Sequence, residues 1–513
     1  MMSRYIYNAG LLFAQVSGNN KERIAVRYQG NNNISFGYLE ETSNRISHFL
    51  SSKGLKKGDV LAIFNNKSPL ALAAMLAALK SGIIYTNLDP YSPAQRISKI
   101  TENCKPSLAL VDEFPTPITA IQAITSEICY LDDEFRESLA VYSPDLPPIC
   151  PSVTGSDPAY IMFTSGSTGF PKGAVITHAN LLNFISWGQN EFDIACDDIL
   201  TNVNPIYFDN SVFDFYVSLF SGASLAPLGT EVTRDPFKLV AEVAALKCTT
   251  WFSVPSLLIY LITTKALSTE SFPSIRQFIF GGEGFPKPNL KKLYSMYGSK
   301  ARLFNVYGPT ECTCICSAYQ ISETDFANMS ALAPLGHLSP NFDFVLLDAS
   351  EEGTFGELGI RGPNVGAGYY NDPQRTQASF VQNPFVSAYR DIIYRSGDLV
   401  QIDENGFLHF RGRSDNQVKH MGYRIELEEI ENNLNAIPYI VEAAVIYERI
   451  TESLGQIVAF VATKSAVDNN EIITDLKLLV PEYMIPRKLH IFEQLPKNQN
   501  GKIDRSALKT INK

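Results

Sequence analysis

Tyr160-Ile-Met-Phe-Thr-Ser-Gly-Ser-Thr-Gly-Phe-Pro-Lys-Gly173 carries an apolar run straight into a loop of hydroxyls and glycines. A second apolar run, Ala174–Thr177, follows at once. The pattern reads as strand, anion-binding loop, strand. Gly166 and Gly169 let backbone N–H groups turn toward one point, while Thr164, Ser165, Ser167 and Thr168 add hydroxyl donors. Lys172 supplies a positive charge. This set suits a polyphosphate. It is not a P-loop, because G-x-x-x-x-G-K-[ST] counted from Gly166 needs glycine where Pro171 stands and a hydroxyl where Gly173 stands.

Outward from this loop, short apolar runs alternate with longer amphipathic ones. Val60–Phe64, Ser107–Val111, Ala159–Phe163, Thr249–Val254, Gln277–Phe280 and Leu303–Val306 read as buried strands. Pro69–Leu79, Leu181–Phe192, Lys238–Leu246 and Ser256–Thr264 read as the helices between them. That order predicts α/β layers around a largely parallel sheet. A turn-rich stretch, Glu351–Asn371, predicts a small β subdomain containing Phe355–Arg361. Beyond Gly412–Arg413 the texture changes. A helix over Ile425–Leu434, strands at Val441–Tyr447 and Ile457–Thr463 that alternate as if half exposed, and a helical stripe over Glu471–Val480 predict a compact α+β unit. The expected division is 1–412 and 413–513.

Composition narrows the function. The 513 residues, 45% hydrophobic and 19% charged, exclude a disordered or fibrous chain and call for roughly two to four packed units. A net charge of −10 with no basic block argues against nucleic acid and anionic membranes as partners. Leu70–Leu79 is too short to span a bilayer, and Ala9–Val16 reads as a first amphipathic helix. Eight scattered cysteines suggest a reducing cytoplasm. Cys312, Cys314 and Cys316 share one face if their segment is a strand, but no second ligand pair accompanies them, so no metal site is expected there.

Further motifs follow the loop: Asn305-Val-Tyr-Gly-Pro-Thr-Glu311, Tyr394-Arg-Ser-Gly-Asp398, Gly412-Arg-Ser-Asp-Asn-Gln-Val-Lys-His-Met-Gly-Tyr-Arg-Ile-Glu426 and Asn500-Gly-Lys-Ile-Asp504. Together with Thr164–Gly173 they resemble, in order and approximate spacing, the adenylate-forming enzymes. These comprise acyl-CoA synthetases, luciferases and the adenylation domains of nonribosomal peptide synthesis. The resemblance covers nearly the whole chain. It implies a large core domain of layered α/β subdomains plus a small β subdomain, hinged at Asp415 to a mobile α+β lid.

Physical reading and resemblance assign the same residues. Tyr307 precedes a Gly-Pro turn, where a flat ring can stack on adenine, and Asn305 offers an amide edge. Asp398 follows a Ser-Gly turn and can accept from ribose hydroxyls. Glu311 suits Mg²⁺, which takes one or two carboxylates along with phosphate oxygens. The resemblance implies ATP as co-substrate, adds Gly282, Glu283, Gly308 and Arg413 to the ATP-binding set, and gives Thr310 and Glu311 catalytic roles. It also makes Lys502 the charge that enters during adenylation, and Gly422 the point where the lid lines a pantetheine channel.

Phe208-Asp209 fits the pair that amino-acid-activating members use to hold the substrate ammonium. A carboxylate at the end of an apolar segment is costly unless a cation meets it. Carried over by resemblance, Asn210, Phe213, Ser256, Ile279, Gly281, Val306, Cys314 and Ile315 line the side-chain pocket, and Lys502 also touches substrate. This uncharged set implies a small or cyclic aliphatic amino acid, with proline expected first. Trp251–Pro255 and Phe280–Pro286 are similar to stand-alone prolyl–carrier-protein ligases, and D-alanine–carrier-protein ligases are also near in length. No carrier segment follows Lys502, so the expected acceptor is a carrier protein in trans. The alternative is an acyl-CoA synthetase using free CoA.

Overall fold

The computed structural model describes residues 5–112, 125, 127–166, 169–450, 455–464, 466–497 and 503–511. Two mixed sheets dominate the first part of the chain. One runs in the order Ile128–Tyr130, Leu108–Val111, Val60–Phe64, Ile84–Leu88, Pro158–Thr164 and Lys172–Thr177, parallel until its final pair. The other has nine strands among the described residues. Its parallel centre is Arg302–Tyr307, Gln277–Gly281, Thr250–Ser253, Ile199–Asn202, Ser224–Pro227 and Ile24–Val26. The first strand of the chain enters here, with Val26 opposite Leu225.

Between these sheets lies the main core. The Pro69–Ser81 helix is buried on every side, which its alanine and leucine composition permits. Ser68 caps its start by accepting from Ala71 N–H, and left-handed Gly82 ends it. Phe13 of the Ala9–Asn19 helix packs against Phe36 and Phe220 in the same cluster. A second cluster, centred on fully buried Trp251, fills the other side of the nine-stranded sheet.

A five-stranded antiparallel sheet, including Phe355–Arg361 and the long Ile392–Ile402 strand, forms the small β subdomain. The chain then builds the Gln417–His420/Tyr423–Glu426 hairpin, the Leu427–Asn435 helix and a sheet of Ile440–Arg449, Gly455–Thr463 and Lys488–Phe492. This is the lid.

Two expectations need correction. The Gly455–Thr463 strand is buried along nearly its whole length rather than half exposed, because apolar clusters cover both faces. The three cysteines share no face: Thr310–Cys312 is a 3₁₀ turn, and Thr313 and Cys314 both take left-handed φ values of 60° and 72°. Burial pushes all three thiols up, so they serve packing rather than redox chemistry.

Candidate active site

Strand ends bring the predicted residues together. Thr164, Gly281 and Tyr307 each lie at the carboxyl end of a strand, where open α/β sheets bind ligands. There they border a cleft lined on its far side by Lys419, Gly422, Tyr423 and Arg424 of the C-terminal hairpin. Among the described residues, none beyond Tyr483 lines it.

The phosphate-loop residues Thr164 and Ser165 face this cleft. Thr164 Oγ1 is buried without a hydrogen-bond partner, an orphan that an anionic oxygen would satisfy. Ser165 Oγ donates to the Arg424 carbonyl at 2.6 Å, and the Gly166 N–H donates to Glu429 Oε2 at 3.0 Å. Lys172 Nζ donates to Glu426 Oε1 at 2.9 Å. Gly169 takes φ +79° at the far turn of the loop. Ser167 and Thr168 lie outside the described residues.

Asp209 and Thr310 meet at the wall of the cleft, with Thr310 Oγ1 donating to Asp209 Oδ2 at 2.5 Å. Burial raises the Asp209 carboxyl, a tendency that the Thr310 hydrogen bond opposes. The site therefore favours a cation beside it. Asn210, Gly281, Val306, Cys314 and Ile315 line the same cleft. Phe213, Ile279 and Ser256 do not. Phe213 packs edge-on against Phe192 and Phe252, with centroids 5.3 and 5.1 Å away, and Ile279 is wholly buried in the main core. Ser256 instead gives its N–H to Glu283 Oε1 at 2.7 Å. Met162, Phe208 and Phe252 take the vacated wall positions.

Gly281 lines the cleft at a point of close approach between strands. An added Cβ would stand 2.4 Å from the Val306 carbonyl oxygen on the neighbouring strand. Gly281→Val is therefore expected to cost about 1–3 kcal/mol through overpacking. A melting curve checks this: unchanged stability would refute the overpacking.

The nucleotide-side residues form one network. Tyr307 O–H donates to Asp398 Oδ2, and Arg413 donates to Asp398 Oδ1, each at 2.6 Å. Arg413 also grips both oxygens of Asp415 at 2.7 Å. Gly282, Glu283, Asn305 and Tyr307 border an adjoining slot, and Lys419 Nζ sits 5.4 Å from the Tyr307 ring centroid. The Asn305 amide is tied to the Pro334 carbonyl at 2.7 Å, and Gly308 lines the main cleft.

Glu311 is fully buried. Its Oε1 accepts from Tyr369 O–H and its Oε2 from Arg424, each at 2.6 Å. Burial alone would raise this carboxyl, but Arg424, Lys172 and the Tyr369 hydrogen bond hold it down at about 2. Both oxygens are thus committed, and among the described residues no group of three acidic, histidine or cysteine side chains could hold a metal. The donors in this lid position do not fit Mg²⁺ unless Arg424 withdraws.

The lid contributes residues the sequence reading did not single out. Arg424 reaches Glu311, Gln417 and the Tyr394 hydroxyl, while Arg96 pairs with Glu429 across 333 positions of sequence. Gly422 N–H donates to Glu283 Oε2 at 3.0 Å. The Tyr423 and Tyr483 rings stack at 3.9 Å, with Phe208 against Tyr423. Lys502 lies outside the described residues. Its neighbour Ile503 packs against the lid's outer cluster.

A family model described as "AMP-binding enzyme" matches residues 12–370, and one described as "AMP-binding enzyme C-terminal domain" matches residues 429–502. The chain is 32% identical over 506 residues to the D-alanine--D-alanyl carrier protein ligase of Lacticaseibacillus rhamnosus, covering 96% of this chain and 97% of that one. It superposes on holo-PA1221, an NRPS protein containing adenylation and PCP domains, with TM-score 0.83 and 25% identity over 98% of this chain and 84% of that chain. It shares its fold with the o-succinylbenzoate CoA synthetase of Bacillus subtilis at TM-score 0.83, 21% identity and 98% coverage of both chains. No helix among the described residues is long and apolar enough to cross a membrane.

Proposed function

The chain belongs to the AMP-binding enzymes, and from that membership we propose that it is a ligase joining an amino acid to a separate carrier protein. ATP and the amino acid give aminoacyl-AMP and pyrophosphate, and the lid then presents a phosphopantetheine thiol that takes the aminoacyl group. The observation that carries this reading is Asp209, half-buried, bonded to Thr310 and open to the cleft. Free CoA as acceptor, the alternative reading, has less support from a relative whose name specifies a carrier protein.

The substrate we favour is D-alanine. Proline, expected first from the sequence, is not supported by the comparisons, whose relatives carry D-alanine in their names. The cleft agrees in chemistry, since Val306, Cys314 and Ile315 offer a small side chain only apolar contacts.

In this reading the phosphate loop and Lys172 hold the triphosphate, Tyr307 and Asn305 face the adenine slot, and Asp398 with Arg413 receives the ribose. Glu283 and Gly282 close the slot. Thr310 orients Asp209, while Glu311 fixes Arg424 once the lid has turned. We place the domain boundary between 412 and 413, with Asp415 as hinge. Magnesium would accompany the nucleotide, and no step is assigned to it.

The test is pyrophosphate exchange across a panel of amino acids, each enantiomer separately. D-Alanine is expected to give the strongest signal, and exchange driven by a fatty or aryl acid alone would refute amino-acid activation. Asp209→Ala is expected to raise the amino-acid KM roughly 10- to 100-fold, since a charge-assisted hydrogen bond is worth about 1.5–3 kcal/mol. The KM for ATP should change little. Equal losses for both substrates would make Asp209 structural.

A further inference from the structure

Behind the amino-acid wall of the cleft lies a buried polar seam that the proposed reaction leaves unused. Asp214 follows Asp209 along one helical segment, in the π-helical turn Phe213–Val217, and is fully buried. Its Oδ2 accepts from the side-chain amides of Asn202 and Asn204, each at 2.9 Å. The Asn204 amide also donates to the Phe252 carbonyl at 3.1 Å. Phe252 lines the cleft, and its ring packs edge-on against Phe213 with centroids 5.1 Å apart. One carboxylate oxygen therefore ties the helix that starts at Asp209 to a strand that walls the cleft. Burial first, then Asp209 and Asp214, push up the thiol of Cys314, so Asp214 lies close behind that wall residue too.

The seam carries its own counter-charge. Lys67, at a left-handed φ of 66°, donates from Nζ to the Asn202 carbonyl at 2.7 Å and the Leu228 carbonyl at 3.0 Å. Asn202 thus stands between the two charges. Burial lowers the Lys67 ammonium and raises the Asp214 carboxyl, while each steadies the other's charged form. Asp214 Oδ1 has no hydrogen-bond partner among the described residues. What the seam asks of this side chain is one accepting oxygen in a fixed place.

We propose that Asp214 is a positioning residue for amino-acid binding: through Asn204 and the helix it shares with Asp209, it holds the ammonium-binding carboxylate and the Phe252 wall at one spacing. The inference rests on the amino-acid half of the function above and asks nothing of the nucleotide side. A binding constellation works when its groups stay within about 0.5 Å of the productive geometry, which residues packed behind them secure. Thr310 holds Asp209 from the cleft side, and Asp214 supplies the restraint from behind.

Michaelis constants from pyrophosphate exchange, measured separately for the amino acid and for ATP, test this. Asp214→Ala is expected to raise the amino-acid KM about tenfold, the effect of losing a hydrogen bond to a charged group. The KM for ATP should move less than about twofold, since the lost interaction serves one substrate only. Asp214→Asn keeps an oxygen for both amides and should bring the amino-acid KM back to within about threefold of normal. Removing the carboxylate also leaves Lys67 buried without its counter-charge, so Asp214→Ala carries a folding penalty. Asn204→Ala avoids that penalty: the charges stay, the tie to Phe252 is cut, and the same selective rise is expected. Equal rises for both substrates in Asn204→Ala, or an amino-acid KM unmoved by it, overturn the proposal and leave amino-acid activation standing. Asp214→Asn as impaired as Asp214→Ala overturns it as well, because charge and not an anchored oxygen would then be at work. Wild-type exchange driven by no amino acid removes the function, and the proposal falls with it.

Discussion

Lys502→Ala is expected to slow aminoacyl-adenylate formation by about 10²–10³-fold, the usual cost of losing one preorganised charge at a developing anion. Transfer of a supplied adenylate to the carrier should persist. Attack by a carboxylate on the α-phosphate gathers negative charge from acid, phosphate and leaving pyrophosphate in one place. In the present lid position three nearby cations are engaged elsewhere: Arg424 with Glu311, Lys172 with Glu426 and Arg413 with Asp398 and Asp415. The sequence neighbours of Lys502 belong to the lid's outer side, with Ile503 in its apolar cluster and Arg505 bonded to Glu431 and the Val445 carbonyl. Pyrophosphate exchange and single-turnover carrier loading, run in parallel, separate the steps. Equal loss in both would deny Lys502 a step-specific role.

Gly422→Leu is expected to do the reverse, lowering carrier loading by about 100-fold or more while exchange stays within a few-fold of normal. Gly422 has φ +82°, a conformation costing other residues about 1–2 kcal/mol. Its absent Cβ would stand 2.5 Å from Val254 Cγ1, and overpacking there adds about 1–3 kcal/mol. The backbone N–H is fixed by Glu283, so the hairpin cannot retreat without losing that bond. The Val254 overlap belongs to this lid position alone, whereas the φ cost is local to the Met421–Gly422 hairpin turn and stays in any position. A melting curve distinguishes them from general destabilisation, and equal loss of exchange and loading at unchanged melting would exclude the alternating-lid reading.

The sheets were legible because their strands announce themselves. Gln277–Gly281 and Arg302–Tyr307 are buried runs bounded by turns, and the structure places them side by side, Phe280 opposite Asn305. Ile84–Leu88 escaped, since Tyr85, Thr86 and Asn87 interrupt its apolar character even though all five residues are buried. Lid strands were read as half exposed because alternation in sequence does not reveal a second helix layer over the outer face. In the site, Asp209, Tyr307 and Glu311 stood out as polar or aromatic groups at the ends of apolar runs. Arg96 and Glu429 did not. Each looks like an ordinary charged helix residue, and only tertiary contact across hundreds of positions makes them a pair. Phe213 and Ile279 show the opposite failure. A pocket map transferred by spacing cannot tell a wall from the layer behind it.

The placement of Ile24–Val26 also sets a schedule for the nascent chain. Its partner in the sheet, Ser224–Pro227, emerges about 200 residues later, on the order of 10–40 s at ordinary translation speeds. Until then the apolar side of the Ala9–Asn19 helix lacks Phe220, one of the rings that bury Phe13. This segment thus waits on the ribosome for its sheet partner, with an apolar face to protect meanwhile.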